Sequence, residues 1–325
     1  MLNTSGPQGT SATRALVTGA NGFVGHHVVA QLVDRGCGVI AVSRQDRADP
    51  AIADLIDAYV SCDVADLEQV RSLPLGDVGA VINLAGLAAV GPSFDQSEEY
   101  LRVNVDVLDT LCTALSDQKL DDVRVIAVSS GAVYRAGQSM PLSEEGAVDP
   151  GSSPYAASKI AMEERALAHR TNGLDCVVVR PFNHIGPGQS RGFLVPDLAH
   201  SAAEARRAGR PMRVGTLTTR RDYTDVRDVA RAYIELAEAP TLPDAVYNVC
   251  SGASVSGEEI LAMVLDALGW DDLPTESDPS RVRPTDNPDV VGDNRRLARA
   301  TGWAPTIPVR RSIEEFVSAL PGELP

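Results

Sequence analysis

A tyrosine and a lysine spaced four residues apart, Tyr155 and Lys159, carry the most specific chemistry in this sequence. On a helix, this spacing places the phenol and the ammonium on one face, one turn apart. A cation beside a phenol favours the phenolate, so we expect Lys159 to lower the pKa of Tyr155 towards the range of an acid–base catalyst. Lys119 and Lys159 are the only lysines among 29 basic side chains, and an arginine does not supply the same compact ammonium. The pair therefore predicts a proton-transfer site, against the alternative of a solvated helix face.

A serine at the end of an apolar run is the third candidate for this chemistry. Ser129 and Ser130 directly follow the run at residues 123–128 and precede Tyr155 in the chain. A serine hydroxyl in that place can donate a hydrogen bond to a substrate carbonyl oxygen beside the tyrosine. Two serines after a strand are also common in turns. The assignment of Ser130 as a catalytic residue therefore depends on Tyr155 and Lys159.

Three glycines near the start of the chain, Gly19, Gly22 and Gly25, predict a dinucleotide site. They follow an apolar run at residues 14–18 and open a helical pattern. Glycines are required where a chain turns tightly and where the backbone approaches a pyrophosphate that rests on a helix N-terminus. A purely structural glycine turn is the alternative.

The residues after the second apolar run indicate which dinucleotide is bound. Proteins that prefer NAD usually place an Asp or Glu here, on the ribose 2′-hydroxyl. This chain has Ser43 and Arg44, whose hydroxyl and guanidinium suit a 2′-phosphate. We therefore predict that NADP(H) is preferred over NAD(H), unless Arg44 is an ordinary surface residue. Asp63 and Val64, after the third run, are expected to cap the adenine.

Alternating strands and helices must position these residues. Apolar runs at 14–18, 38–43, 59–62, 80–84, 123–128 and 176–180 are separated by helical patterns that include 98–115 and 155–169. This alternation predicts an α/β fold with a doubly wound parallel sheet of the Rossmann type. We expect a Rossmann domain over residues 14–180, with a returning segment near 220–252, after a disordered tail at 1–13. Residues 181–325, with helices at 196–208 and 256–268, are predicted to form a smaller C-terminal α/β lobe that binds substrate, interleaved with the first domain.

Composition excludes several classes of partner. The net charge of −15 argues against nucleic acid and against an anionic membrane, so anionic ligands must be held by individually placed arginines. No apolar run reaches the roughly 18–20 residues of a membrane span. Five scattered cysteines are expected to be small buried residues of a cytoplasmic protein, and the five histidines lack metal-ligand spacing, so we predict no metal.

Together, the glycine motif, the Ser130, Tyr155 and Lys159 set and the block at residues 180–188 resemble the extended short-chain dehydrogenases/reductases of the NAD-dependent epimerase/dehydratase family, which act on nucleotide sugars. The resemblance covers nearly the whole chain after residue 13. It implies that the cofactor is contacted by the catalytic pair and the glycine motif, and also by Phe23, Val24, Leu84, Ala85, Gly86, Pro181 and His184. It implies further that Asn183 and Val195 contact the substrate, that Arg221 and Arg283 hold its nucleotide diphosphate, and that Arg227 and Arg281 serve structure.

Within this family, the segments at 180–189, 192–197, 247–252, 281–286 and 291–294 resemble the enzymes that reduce GDP-linked 4-keto-6-deoxy-D-mannose to GDP-D-rhamnose. Tyr134 followed by Arg135, where the family has Tyr-Gly, departs from the pattern. The resemblance implies NADPH-dependent reduction of a 4-keto sugar, with a GDP-sugar favoured, and a homodimer formed through the helices at 98–115 and 155–169. A C4 epimerase that retains its cofactor shares the same catalytic set, and a cofactor-sensing protein without turnover is the alternative outside the enzymes.

Sugar nucleotide 4,6-dehydratases of the family carry acidic residues directly after the catalytic hydroxyl residue. Here Ser130 is followed by Gly131 and Ala132, which carry no proton. Glu144 and Glu145 are expected in a solvent-facing loop. The sequence therefore argues against dehydration.

Overall fold

Seven parallel strands form the centre of the computed structural model, which describes residues 14–278 and 287–320. They are β1 (Arg14–Thr18), β2 (Gly38–Ser43), β3 (Ala58–Ser61), β4 (Val78–Asn83), β5 (Arg124–Val128), β6 (Cys176–Pro181) and β10 (Val246–Val249). Their order across the sheet is β10-β6-β5-β4-β1-β2-β3, so the chain winds outward from β1 in both directions. The predicted doubly wound Rossmann sheet is confirmed.

Helices cover both faces of this sheet. They are α1 (Phe23–Asp34), α2 (Leu67–Arg71), α3 (Val90–Ser93), α4 (Ser97–Asp117), α5 (Pro154–Thr171), α7 (Val226–Glu238) and α9 (Arg295–Thr301). Successive strand residues face opposite sides, so Val17 packs with α1 and α7 whereas Leu16 packs with α4. Burial on both faces explains why the strands read as continuous apolar runs.

The chain after β6 builds a second, smaller core. Its elements are β7 (Asn183–Ile185), α6 (Leu194–Ala208), β8 (Met212–Val214), β9 (Arg220–Asp225), β11 (Ser254–Ser256), α8 (Gly257–Leu268), β12 (Thr275–Ser277), β13 (Asp289–Val290) and α10 (Val309–Ser318). Strand β9 pairs with β7 and β13 in parallel and with β11 antiparallel. Helices α6, α8 and α10 pack together over this layer, while α7 and β10 belong to the large sheet.

Over the described ranges, no helix is both long and apolar enough to cross a membrane. All five cysteines are free thiols, and only Cys37 is not fully buried.

Candidate active site

The carboxyl ends of the parallel strands gather the predicted residues at one edge of the sheet. The glycine motif follows β1, Ser43 ends β2, Leu84 follows β4, Ser130 follows β5 and Pro181 ends β6. Open parallel sheets bind ligands at this edge. The motifs, which are far apart in the sequence, therefore meet in one site.

The glycine loop leaves no room for side chains. Gly19 has a φ of +64°, and a Cβ there would lie 2.9 Å from the Leu84 carbonyl carbon. A Cβ on Gly25 would lie 2.5 Å from the Gly19 oxygen, so α1 packs directly on the loop. Gly22 caps α1 without a side-chain hydrogen bond, and no acidic residue occupies the first turn. This open, positively polarised helix start fits a pyrophosphate.

Tyr155, Lys159 and Ser130 lie together, as their spacing predicted. Helix α5 begins at Pro154, and its N-cap Ser153 accepts a hydrogen bond from the Ala156 N–H at 3.1 Å. Within the next turn, the Lys159 ammonium donates to the Val128 carbonyl oxygen at 2.9 Å, at the end of β5. The Ser130 hydroxyl lies near enough to the Tyr155 phenol to lower its pKa. Their functional roles stay predictions at this point.

The net shift of the Tyr155 pKa is opposite to the expected one. Burial raises the pKa of Tyr155 above its usual range, and the nearby Ser130 hydroxyl opposes that rise only in part. Burial also lowers the pKa of Lys159 to about 8, against the attraction of Glu163. The phenolate would lose hydration in this enclosed position, so the Tyr155 phenol is neutral near pH 7.

A buried carboxylate one turn beyond Lys159 was not singled out from the sequence. The Glu163 carboxylate accepts a hydrogen bond from the Ser129 hydroxyl at 2.5 Å and two from the Arg180 guanidinium, at 2.9 and 2.6 Å. Arg180 also lies 4.9 Å from the centre of the Tyr134 ring and donates to its hydroxyl. This network ties α5 to the ends of β5 and β6. The four-residue step from Lys159 to Glu163 was the available signal, since both fall on one helix face.

Asn104 of α4 is a second residue that the sequence analysis missed. It is buried, its Oδ1 accepts the Leu87 N–H at 2.9 Å, and its Nδ2 donates to the Ser158 hydroxyl at 2.8 Å. A Cβ on Gly86 would lie 2.6 Å from that Oδ1. Asn104 therefore joins the loop after β4 to α5, and Gly86 is required for its close approach.

The end of β2 is organised by Asn21 of the glycine loop. The Asn21 N–H donates to the Ser43 hydroxyl at 3.2 Å, and its side chain bonds the backbone of the loop at 44–49 twice, at 2.9 and 3.0 Å. The Tyr59 hydroxyl adds a bond to the same loop at 2.7 Å. Arg44 is exposed, and no hydrogen bond or ion pair occupies its guanidinium within the described part of the chain.

The remaining residues of the predicted cofactor site differ in how far they are exposed to solvent. Asp63 is exposed, while Val64 is buried in the core beneath α4, so Val64 offers its backbone at most. The rings of Phe23 and His184 stack with centroids 6.1 Å apart, and burial lowers the pKa of His184. Leu84 and Ala85 are half-buried, Val24 follows Phe23 in the first turn of α1, and Pro181 is buried at the end of β6.

On the substrate side, a cleft of about 470 Å³ opens between α6, β8 and β9. Arg221 lines it, with its Nη1 donating to the Arg220 and Asn287 carbonyl oxygens, and Asn183 pairs across from Tyr223 on the adjoining strand. Val195 has 0% exposure and packs in the C-terminal core, so the prediction that it contacts substrate is corrected. Phe193 and Leu194 line the cleft instead. Arg283 and Arg281 lie outside the described residues.

The structure also places Glu144 and Glu145, which were expected in a solvent-facing loop, and Arg227, which was expected to serve structure. Glu145 is exposed, but the Glu144 side chain is only 3% exposed, which corrects its placement in solvent. Its carboxylate accepts the Asn248 N–H at 2.9 Å and faces Arg296. Arg227 pairs with Asp225 and Glu315, in keeping with a structural role.

Comparison with known proteins extends these findings. Residues 15–250 match the NAD dependent epimerase/dehydratase family. The chain is 33% identical to a GDP-6-deoxy-D-mannose reductase of Pseudomonas aeruginosa, over 94% of this chain and 96% of that protein. It is 30% identical to a UDP-glucose 4-epimerase of Mycolicibacterium smegmatis, over 94% of this chain and 97% of that protein.

A solved structure agrees with the sequence relatives. RMD from Pseudomonas aeruginosa complexed with NADPH superimposes with a TM-score of 0.79 at 30% identity, covering 94% of this chain and 98% of that one. The glycine loop and the helix that carries Tyr155 and Lys159 lie within residues 15–250, which match the family. The chain therefore belongs to the NAD dependent epimerase/dehydratase family.

Proposed function

We propose that this protein reduces the 4-keto group of a nucleotide-linked 4-keto-6-deoxyhexose, with NADPH as reductant. The favoured reaction converts GDP-4-keto-6-deoxy-D-mannose to GDP-D-rhamnose. The observation that carries the proposal is the placement of Tyr155 and Lys159 on α5 at the carboxyl end of β5, beside Ser130, with the Tyr155 phenol kept neutral by burial. The similarity to a GDP-6-deoxy-D-mannose reductase over nearly the full length of both chains supports this choice of substrate.

The side chains in the site have complementary tasks in this reaction. Bound NADPH supplies the hydride. Ser130 would hold the substrate carbonyl oxygen, and Tyr155 would donate its proton to the same oxygen as negative charge develops there. Lys159, near Gly86, is positioned to hold cofactor ribose hydroxyls and to favour the tyrosinate left after proton transfer. The glycine loop and the start of α1 would bind the pyrophosphate, and Arg221 the diphosphate of the sugar nucleotide.

The residues directly after Ser130, where 4,6-dehydratases of the family carry an acid and a base, are not acidic in this chain. Ser130 is followed by Gly131 and Ala132 in a short 3-10 turn, and the Ala132 N–H donates to the Ser130 hydroxyl at 3.1 Å. Glu144 is engaged by the Asn248 N–H. Elimination of water from a hexose needs an acid and a base beside the sugar. These contacts favour a reductase over a 4,6-dehydratase.

The reaction type can be tested with purified protein and two substrates. With GDP-4-keto-6-deoxymannose, we expect one NADPH to be oxidised per sugar reduced, measured by absorbance at the nicotinamide band and by chromatography of the product. With GDP-mannose and catalytic NADP, we expect no 4-keto product. Formation of a 4-keto sugar from GDP-mannose would contradict the reductase assignment.

A C4 epimerase is the second candidate, because a UDP-glucose 4-epimerase is 30% identical to this chain. The same mixture separates the two activities. An epimerase would interconvert the C4 epimers of a sugar nucleotide without net oxidation of NADPH. A cofactor-sensing protein would leave both the sugar and the cofactor unchanged.

Preference for NADPH over NADH is part of the proposal, since Arg44 is exposed beside the Ser43 hydroxyl at the end of β2. We expect Arg44→Ala to weaken NADPH binding by about 10-fold, as a charge-assisted hydrogen bond is lost, and to leave NADH binding unchanged. Fluorescence titration of both cofactors measures this. Arg35→Ala, at the opposite end of α1, is the matched control. Equal affinity of the unaltered protein for NADH and NADPH would contradict the preference.

We also propose that two copies of the chain associate through α4 and α5. These helices pack on each other along the outer face of the sheet, and α4 leaves Leu101 47% exposed. Exposed apolar side chains on paired helices favour a helical dimer interface. Sedimentation equilibrium measures the stoichiometry, and a monomer at micromolar concentration would contradict this arrangement.

A further inference from the structure

A carboxylate in the substrate cleft is unexpected if the ligand is anionic. Asp197 lies in the first turn of α6 and lines the cleft that also contains Arg221. A diphosphate is attracted by Arg221 and repelled by Asp197. A sugar nucleotide in this cleft must therefore present its phosphates to the arginine and a hydrogen-bond donor to the carboxylate.

The surroundings of Asp197 include one aromatic and several aliphatic side chains, which suit the faces of a flat ring. Phe193, which is 42% exposed, lies on the same cleft, together with Leu194, Leu198 and Leu217. Aromatic side chains stack with nucleobases, and aliphatic walls accept their faces. The part of the ligand nearest Asp197 is thus expected to be the base rather than the sugar.

The acceptor capacity of Asp197 is only partly used. Its Oδ1 accepts the Gly192 N–H at 2.9 Å, which orders the loop before α6. No partner occupies Oδ2 among the residues that the structure describes. An ionised carboxylate has about four lone-pair sites, so both oxygens retain capacity for donors from a ligand.

Base chemistry then distinguishes the nucleotides. Guanine presents two adjacent donors, N1–H and the N2 amino group, which match the two oxygens of a carboxylate. Uracil and thymine present a single N3–H between two carbonyl oxygens, which a carboxylate repels. Adenine and cytosine each place a ring acceptor beside their amino group.

We propose that Asp197 reads the base of the sugar nucleotide and selects guanine. This inference rests on the proposed function, since it requires that a nucleoside diphosphate occupies the cleft beside Arg221. It adds a specificity-determining residue outside the catalytic set. It also explains why an acidic side chain is present in a site for an anionic ligand.

The test measures dissociation constants of GDP, IDP and UDP by calorimetry for three proteins: the unaltered chain, Asp197→Asn and Glu204→Gln. Asparagine keeps an acceptor for the Gly192 N–H, and IDP lacks the 2-amino group. Glu204 is an exposed acid on α6 that does not line the cleft, so it is the matched control. Circular dichroism verifies the fold of each variant.

For the unaltered protein, we expect GDP to bind more tightly than IDP and at least 10-fold more tightly than UDP. Asp197→Asn should weaken GDP by about 10- to 100-fold, the range for a bidentate base contact, and leave UDP unchanged. Glu204→Gln should match the unaltered protein. Equal binding of GDP and UDP, or GDP binding unaffected by Asp197→Asn, would overturn the inference while leaving the nucleotide site in place. Failure of every nucleoside diphosphate to bind would overturn the proposed function as well.

Discussion

Replacing Tyr155 with phenylalanine is expected to reduce turnover by about 10²- to 10⁴-fold, the usual contribution of a positioned proton donor. The ring remains, so its edge-to-face contact with Tyr100 and the packing of α5 are retained. Only the hydroxyl, which lies near Ser130, is lost. Steady-state kinetics with a 4-keto sugar nucleotide measures the loss, and fluorescence titration should show unchanged NADPH affinity.

Tyr247→Phe is the matched control for this variant. Tyr247 is as completely buried as Tyr155, but its hydroxyl accepts the Asp244 N–H at 3.1 Å, at the opposite end of β10 from the site. Its loss should leave turnover close to that of the unaltered protein. Turnover of Tyr155→Phe within a few-fold of that value would rule out Tyr155 as the proton donor.

Removal of Arg180 has the largest expected effect on stability. Arg180 and Glu163 are 8% and 6% exposed and share two hydrogen bonds, so Arg180→Met leaves a buried carboxylate without its partner. We expect the free energy of unfolding to fall by about 3–5 kcal/mol, as for other broken buried ion pairs. Urea unfolding followed by circular dichroism measures the change.

A double variant separates the ion pair from its packing. Arg180→Met with Glu163→Leu replaces both charges by apolar groups and should regain much of the lost stability. Arg310→Met, which removes an exposed pair with Asp266, should leave the unfolding midpoint nearly unchanged. If Arg180→Met were as stable as this control, Glu163 would have to be satisfied by other groups.

The elements that depend on local pattern were predictable from the sequence. Strands β1 and β2 match their predicted bounds, and β3 to β6 differ by one or two residues at one or both ends. The short strands of the C-terminal lobe were not predicted. The glycine motif, Ser130 and Tyr155 were found because each is defined by neighbours within a few positions. Parallel strand topology then brings their carboxyl ends to one edge without further information.

What the sequence did not predict depends on contacts between distant segments. The rise in the pKa of Tyr155 follows from burial by the folded chain. Glu144 is buried because it bonds Asn248, 104 residues away. Val195 and Phe193 are near neighbours in the chain, and only the packing of α6 decides that the first is in the core and the second on the cleft.

The attachment of the loop at 44–49 to the glycine motif has a consequence for protein engineering. Asn21 and Tyr59 hold the loop through its backbone, so its shape does not depend on the side chain at position 44. On the proposal that Arg44 binds the 2′-phosphate, we expect an acid in place of Arg44 to exchange the preferred reductant while the backbone of the loop keeps its shape.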